Sequence, residues 1–316
     1  MPDRSDAATN APGLLPQHEL FGDWTVALTE YPFSSSELLW SDGTTFSVHR
    51  SGNRDIVLRF PEIADFRIGF DDKMIAVRAQ PPLPVESLRH LLHDHIAPRL
   101  LANAGQLVLH AGAVETADGA LLVTGLSGVG KSTLLASFDQ HGFPLIGDDA
   151  MLMQMDRSGA TARSLYRSLR LFPDSIEHVL GEGQESSAVA HYTEKRNVTA
   201  LDTRRRTAGY APLRAMFFLG PGSANVSCRR LAPSQACMLS LEHSFWLDPS
   251  DLDQTRARLG EAGRLADRVP AFIIDYPRRY DALAAVRQAM LEAVELSGSQ
   301  SRQSACRRPG PPVTAC

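Results

Sequence analysis

Between Gly125 and Ser132 the chain reads Gly-Leu-Ser-Gly-Val-Gly-Lys-Ser, a complete G-x-x-x-x-G-K-[ST] pattern. No other stretch constrains the fold as tightly. Glycines let consecutive N–H groups converge on phosphate oxygens, a lysine brings a point charge, and a serine hydroxyl can face Mg²⁺. The flanks agree with the loop. Ala120–Thr124 is an apolar run suited to a buried strand, and Ser132 to Gln140 suits a helix whose N-terminal dipole favours anions. Upstream, Leu107 to Ala111 reads as another buried strand. Downstream, Phe143-Pro144-Leu145-Ile146 runs into Gly147-Asp148-Asp149. Strand, glycine loop, helix, strand and acidic pair is the order of a nucleotide-binding α/β core. An ordinary glycine-rich turn would need no such flanks. Gly125, Ser127, Gly128, Val129, Gly130, Lys131, Ser132 and Thr133 are therefore the nucleotide-binding candidates, for ATP or GTP with Mg²⁺.

The rest of the 316 residues divides around this core. Residues 1–18 are rich in Ala, Pro, Asp and Ser and read as disordered. Residues 19–80 carry strand signals: Thr44–Val48, Ile56–Phe60, Phe66–Phe70 and Met74–Val77 are separated by turns, predicting a small antiparallel meander. Residues 81–105 predict a linking helix, with Pro84 at its start and Val85, Leu88, Leu91, Leu92, Ile96 and Leu100 on one face. Residues 106–296 hold the nucleotide core, with further strands at Ala215–Leu219 and Ala271–Tyr276 and helices from Asp251 towards Ala266 and from Tyr280 to Leu296. Residues 297–316 lack acidic residues and read as a disordered tail.

Composition bounds the function. With 43% hydrophobic and 22% charged residues the chain can bury a large core, and a net charge of −4 argues against nucleic-acid binding. No apolar run is long enough to span a membrane and no secretory signal is visible, so cytoplasm is the expectation. The four cysteines form no CxxC pair.

Three acidic or histidine features bear on chemistry. Asp148 and Asp149 follow the strand after the phosphate-loop helix, where one carboxylate can hold Mg²⁺ and its neighbour can take a proton from an attacking hydroxyl. Two adjacent acids repel, which raises one pKa. A solvated turn pair is the bland reading. His110 ends a strand and reads as either a core histidine or a group that hydrogen-bonds Asp149. His90, His93 and His95 read as a solvated helix surface, since no fourth ligand accompanies them.

Taken together, Leu109-His110-Ala111-Gly112-Ala113, the phosphate loop and Leu145-Ile146-Gly147-Asp148-Asp149 resemble the catalytic domain of the HPr kinase/phosphorylase family, most sharply over residues 107–153. Leu169–Asp174, Glu194–Arg196, Leu231–Pro233 and Ile274–Pro277 resemble diverged relatives, some of which tailor ribosomal peptides, lasso-peptide precursors among them. The resemblance implies a phosphoenolpyruvate-carboxykinase-like P-loop kinase domain with a mixed sheet, here preceded by a small antiparallel β domain. It implies that Lys131 and Ser132 grip phosphates and Mg²⁺, that Asp148 belongs with the metal, that Asp149 is the base and that His110 tunes it. Arg170, Lys195 and Arg196 are candidates for substrate or phosphate contacts, or else exposed salt-bridge partners. The family's second signature, with its metal-binding glutamate, has no counterpart in this chain. The expected activity is an ATP- and Mg²⁺-dependent serine kinase acting on a protein or peptide. An HPr kinase/phosphorylase-type regulator, a small-molecule kinase and a non-catalytic ATP sensor stay open, as does assembly into a homo-oligomer.

Overall fold

Alternating apolar residues build the first layer. Strands β1 (Thr9–Asn10), β2 (Thr25–Leu28), β3 (Glu37–Ser41), β4 (Ser47–Ser51), β5 (Asp55–Phe60), β6 (Ala64–Gly69) and β7 (Met74–Ala79) form one sheet in the order β1-β2-β7-β6-β5-β4-β3. Val48, Leu58, Phe60, Phe66, Ile68, Ile75 and Val77 lie on its buried face. The computed structural model describes residues 9–10 and 23–306, apart from 53, 81, 82, 158, 167 and 199–208. The expected meander holds from β3 to β7, but β2 joins β7 in parallel. Antiparallel order fails there because β2 precedes the whole meander and adds to its last strand, so no hairpin joins the two. Thr9–Asn10, expected to be disordered, pairs with β2; the rest of 1–18 lies outside the described residues.

The linking helix is three pieces: Val85–Leu91, a π-helical turn Leu92–Ile96, and Ala97–Asn103. Pro98 accounts for the break. It has no N–H for the Asp94 carbonyl, and its ring crowds that carbonyl, so the helix widens there. Leu88, Leu91, Leu92, Ile96 and Leu100 are buried as predicted, whereas Val85 is exposed. This helix does not merely link. Its apolar face, the first sheet and Val108, Ala150, Leu152, Leu165 and Leu247 make one continuous core.

The second sheet carries the phosphate loop. Its members are β8 (Leu107–Leu109), β9 (Ala111–Thr116), β10 (Gly119–Thr124), β11 (Leu145–Gly147), β12 (Met151–Met155) and β13 (Ala160–Ser164). A short sheet of β14 (Arg170–Leu171), β15 (Ser186–Ala188) and β16 (Arg196–Val198) follows, before β17 (Tyr210–Leu219), β18 (Ser227–Arg230) and β19 (Ala271–Asp275) return to the main one. The order is β11-β9-β10-β17-β13-β12-β8, with β19 on β17 and β18 on β19. β17 runs parallel to β10 and β19 while the other pairs are antiparallel, so the sheet is mixed. Ala120 and Leu122 enter one apolar cluster and Leu121 and Val123 the other, which is why β10 reads as an unbroken apolar run. The single strand expected at 107–111 is two, divided at His110: β8 pairs with β12, and β9 with β10 and β11.

The helix Leu252–Arg268 is capped by the Asp251 carboxylate, which accepts from the Asp253 and Gln254 N–H groups at 3.0 Å each. The last helix, Leu283–Cys306, continues past Leu296, where the tail was expected to begin. Its added turns hold no proline, so nothing in the backbone stops it at that point. Residues 307–316 lie outside the described ones.

One core shared by both sheets predicts one transition. Phe66→Ala should cost about 3–5 kcal/mol and lower a single melting transition of the whole chain. Two separated transitions in calorimetry would contradict the shared core.

Candidate functional site

Positive φ sets the loop. Gly125, Gly128 and Gly130 have φ of 155°, 80° and 96°, and Gly130 delivers the chain into the helix Lys131–Gln140. Lys131 is buried and its Nζ donates to the carbonyls of Gly125 and Leu126 at 2.9 Å each. Burial lowers its pKa, against the opposing pull of Asp148 and Asp149. The ammonium is thus folded back on the loop it would leave to meet a phosphate.

The acidic pair lies in the bend between β11 and β12, and it is not a solvated turn. Asp148 has no exposed surface. Its Oδ1 accepts the Asp149 N–H at 2.9 Å, and its Oδ2 has no hydrogen-bond partner. Ser132 lies close enough to act on this carboxylate, though burial and the Asp149 charge prevail and push its pKa up to about 7. Room for the group comes from Gly112, where a Cβ would stand 2.9 Å from Asp148 Oδ1 and 2.8 Å from the Gly147 carbonyl. Asp149 itself is left-handed, at φ 70°, a conformation a non-glycine residue holds only when its surroundings impose it.

His110 imposes it. The ring Nδ1 donates to the main-chain carbonyl of Asp149 at 3.0 Å. His110 is itself pinned: its N–H donates to the His243 carbonyl at 2.8 Å, and its carbonyl accepts from Thr124 Oγ1 at 2.9 Å. Burial, then Lys131, hold its pKa down at about 4, so the ring is neutral near pH 7. The expected bond to Asp149 is made at its main-chain carbonyl and not at its carboxylate. The histidine is the single residue between β8 and β9, and from there its ring reaches the backbone of the bend rather than the side chain.

The Asp149 carboxylate meets Arg170 instead. Arg170 Nη1 lies 3.3 Å from Asp149 Oδ2 and also pairs with Asp94. Asp94 sits on the π-helical turn, where its carboxylate takes the Tyr166 hydroxyl at 2.5 Å and lies 2.7 Å from His90 Nδ1. Burial works to raise the pKa of Asp94, but Arg170 overrides it and holds the carboxyl well below its usual range. Arg170 is accordingly buried, not an exposed salt-bridge partner. The histidines of this helical segment are not a solvated surface either. His90 joins the Asp94 pair, and His95 packs edge-on to Phe46 and Phe60, its pKa lowered by burial to about 3. No group of three or more His, Cys, Asp or Glu side chains placed to hold a metal ion occurs among the described residues.

A cavity of about 730 Å³ collects most of the expected residues: Ser127 to Thr133, His110, Asp149, Arg170 and Lys195. Gly125 and Asp148 are not among its lining residues. Arg196 is not among the lining residues. Its Nε and Nη2 donate to Ser186 at 2.8 Å across β15–β16, so it fastens that small sheet. The far wall was not foreseen: Tyr280 stacks on His178 with ring centroids 4.3 Å apart and donates to Asp174 Oδ2 at 2.8 Å. The donor set suits Mg²⁺, a hard cation that takes oxygen ligands, because Asp148 Oδ2 is a buried carboxylate oxygen left without a donor next to the Ser132 hydroxyl.

No family model and no curated protein matches the chain. Among solved structures it is similar to the HPr(Ser) kinase/phosphatase from Coxiella burnetii, at 10% identity and a TM-score of 0.33, over 64% of this chain and 99% of that one. The likeness is distant, and the functional reading rests on the site's own geometry.

Asp148 yields a pH signature. Its folded pKa is raised from 3.8 to about 7, so between those values the folded state holds a proton the unfolded chain has lost, and stability falls as pH rises. Without Mg²⁺, Asp148→Asn should therefore melt higher than the wild type at pH 7, with the gap shrinking towards pH 4. A gap independent of pH would show that Asp148 is not held protonated.

Proposed function

We propose that the protein is an ATP- and Mg²⁺-dependent kinase of the HPr-kinase-like type, with a phosphoenolpyruvate-carboxykinase-like P-loop domain, that transfers the γ-phosphoryl group to a serine hydroxyl of a protein or peptide. One observation carries the reading: the phosphate loop, a left-handed aspartate and a buried arginine face one cavity, and a carboxylate with an unsatisfied oxygen is neighbour to the loop's Ser132. A binding-only site needs the loop but not two acids held against their mutual repulsion.

The roles follow from position. The loop's N–H groups and the start of the helix Lys131–Gln140 receive the phosphates. Lys131 exchanges its two carbonyl partners for phosphate oxygens. Ser132 and Asp148 would hold Mg²⁺, which supplies positive charge to the phosphate oxygens. Asp149, oriented by His110 at its backbone and by Arg170 at its carboxylate, accepts the hydroxyl proton as that oxygen bonds to the γ-phosphorus and the bond to the leaving ADP oxygen breaks. Arg170 and Lys195, at the same cavity, are placed to steady the charge on the phosphoryl group in flight.

Two variants separate binding from transfer. Mg²⁺-ATP should raise the melting temperature of the wild type, and Lys131→Ala should lose most of that rise. Equal rises would remove the nucleotide assignment. Asp149→Asn should keep the rise and transfer phosphate to an acceptor peptide about a hundredfold more slowly, the ordinary yield of a general base. A variant as fast as the wild type would leave a nucleotide sensor as the better reading.

A further inference from the structure

Asp149 and Arg170 face two cavities. The second, about 510 Å³, lies between the first sheet, the helical segment around Asp94 and the loop 242–246. It shares His110, Ser127, Asp149, Arg170 and Lys195 with the nucleotide cavity, so the two spaces meet at the proposed base. Its volume is in the range of ordinary ligand sites and accommodates a residue or two of an extended peptide.

Aromatic rings and one unusual cation line it. Trp40 and Trp246 lie with centroids 4.1 Å apart, and Phe46 and Phe245 complete the apolar wall. Arg99 is only 8% exposed. Its guanidinium lies 4.6 Å from the Phe46 ring centroid and 5.3 Å from that of Phe245. Nη1 donates to the His95 carbonyl at 2.9 Å, while Nε has no partner. Among the described residues no carboxylate pairs with this guanidinium; Asp42 acts on it only at a distance, and burial brings its pKa down to about 9. A buried cation without a counter-ion is destabilising unless something supplies one. Arg170, in the same wall, shows the contrast: it is buried as deeply and carries two carboxylates.

We propose that this second cavity is the acceptor site and that Arg99 anchors a carboxylate of the acceptor there, with the aromatic wall taking its apolar body. The assignment rests on the kinase reading above and names the acceptor's chemistry. A monoanion fits better than a phosphate, because Asp42, Asp94, Asp149 and Glu242 line the same space as Arg99, Arg170 and Lys195, and Arg170 is already paired with Asp94 and Asp149. The planar fork of arginine suits a carboxylate bidentately. In a peptide the carboxylate belongs either to a side chain or to a chain end.

Two of the chain's three tryptophans line the cavity, so fluorescence reads it. The probes are N-acetyl-L-phenylalanine, its neutral amide, and N-acetyl-L-glutamic acid α-amide, titrated into the full chain. At least one carboxylate probe should bind about tenfold or more tighter than the neutral amide, and which one binds tells chain end from side chain. Arg99→Gln should abolish the preference, and Arg99→Lys, which keeps the charge without the fork, should retain part of it. Each protein is also melted with and without Mg²⁺-ATP, which shows that the variants are folded. No preference in the wild type, no binding of any probe, or a preference that survives Arg99→Gln would overturn the acceptor assignment while the nucleotide response stands. A wild type that Mg²⁺-ATP fails to stabilise would overturn the kinase reading, and the acceptor assignment with it.

Discussion

Adjacent carboxylates out of water repel each other and lose their hydration, and a chain that buries both Asp148 and Asp149 must compensate from several directions at once. The compensation organises the fold. Asp148 turns one oxygen onto the Asp149 N–H, which bends the chain, and the bend leaves Asp149 left-handed. His110 then fixes the Asp149 carbonyl, and for that the strand before the phosphate loop divides into β8 and β9 at this residue. Arg170 balances the exposed side of the pair, and Asp94 balances Arg170. Through that chain of charges the π-helical turn, and with it the first sheet, is tied to the phosphate loop. The N-terminal sheet is therefore part of the site's framework, not an appendage.

Of the buried polar atoms without a hydrogen-bond partner among the described residues, two bear on the candidate site. Asp148 Oδ2 and Arg99 Nε are buried polar atoms without partners, one beside the loop serine and one at the aromatic wall. Elsewhere the packing is conservative: alternating strands, a capped helix from Leu252, and apolar clusters on both faces of the mixed sheet.

How much of this was legible in the chain depended on sequence distance. The loop from Gly125 to Ser132 and the acid pair were readable, because phosphate binding is written in contiguous residues and a strand end fixes where the acids stand. The strands of the meander were readable from their two-residue period. Arg170 was visible only as a candidate, since its partners Asp94 and Asp149 lie 76 and 21 residues away and only the fold unites them. His90 and His95 depart from the expected solvated surface for a related reason: polar residues on an amphipathic helix ordinarily face water, but here His90 meets Asp94 and His95 packs against Phe46 and Phe60. No motif singles out Arg99 in the sequence. Its signal was its place among Ile96, Ala97, Leu100 and Leu101, all buried. The hydrogen bond from His110 to Asp149 was legible, but not the atom that takes it, because spacing places a residue beside another without saying whether its side chain will meet backbone or carboxylate.

The central claim is that the unsatisfied oxygen of Asp148 and the folded-back ammonium of Lys131 await a metal-bearing triphosphate. A crystal structure with Mg²⁺ and a non-hydrolysable ATP analogue tests it most directly. The account predicts that Lys131 Nζ leaves the Gly125 and Leu126 carbonyls for the phosphates and that Asp148 Oδ2 faces the metal, directly or through water, beside Ser132. A nucleotide bound with Lys131 still on those carbonyls, or a metal held away from Asp148, would contradict it.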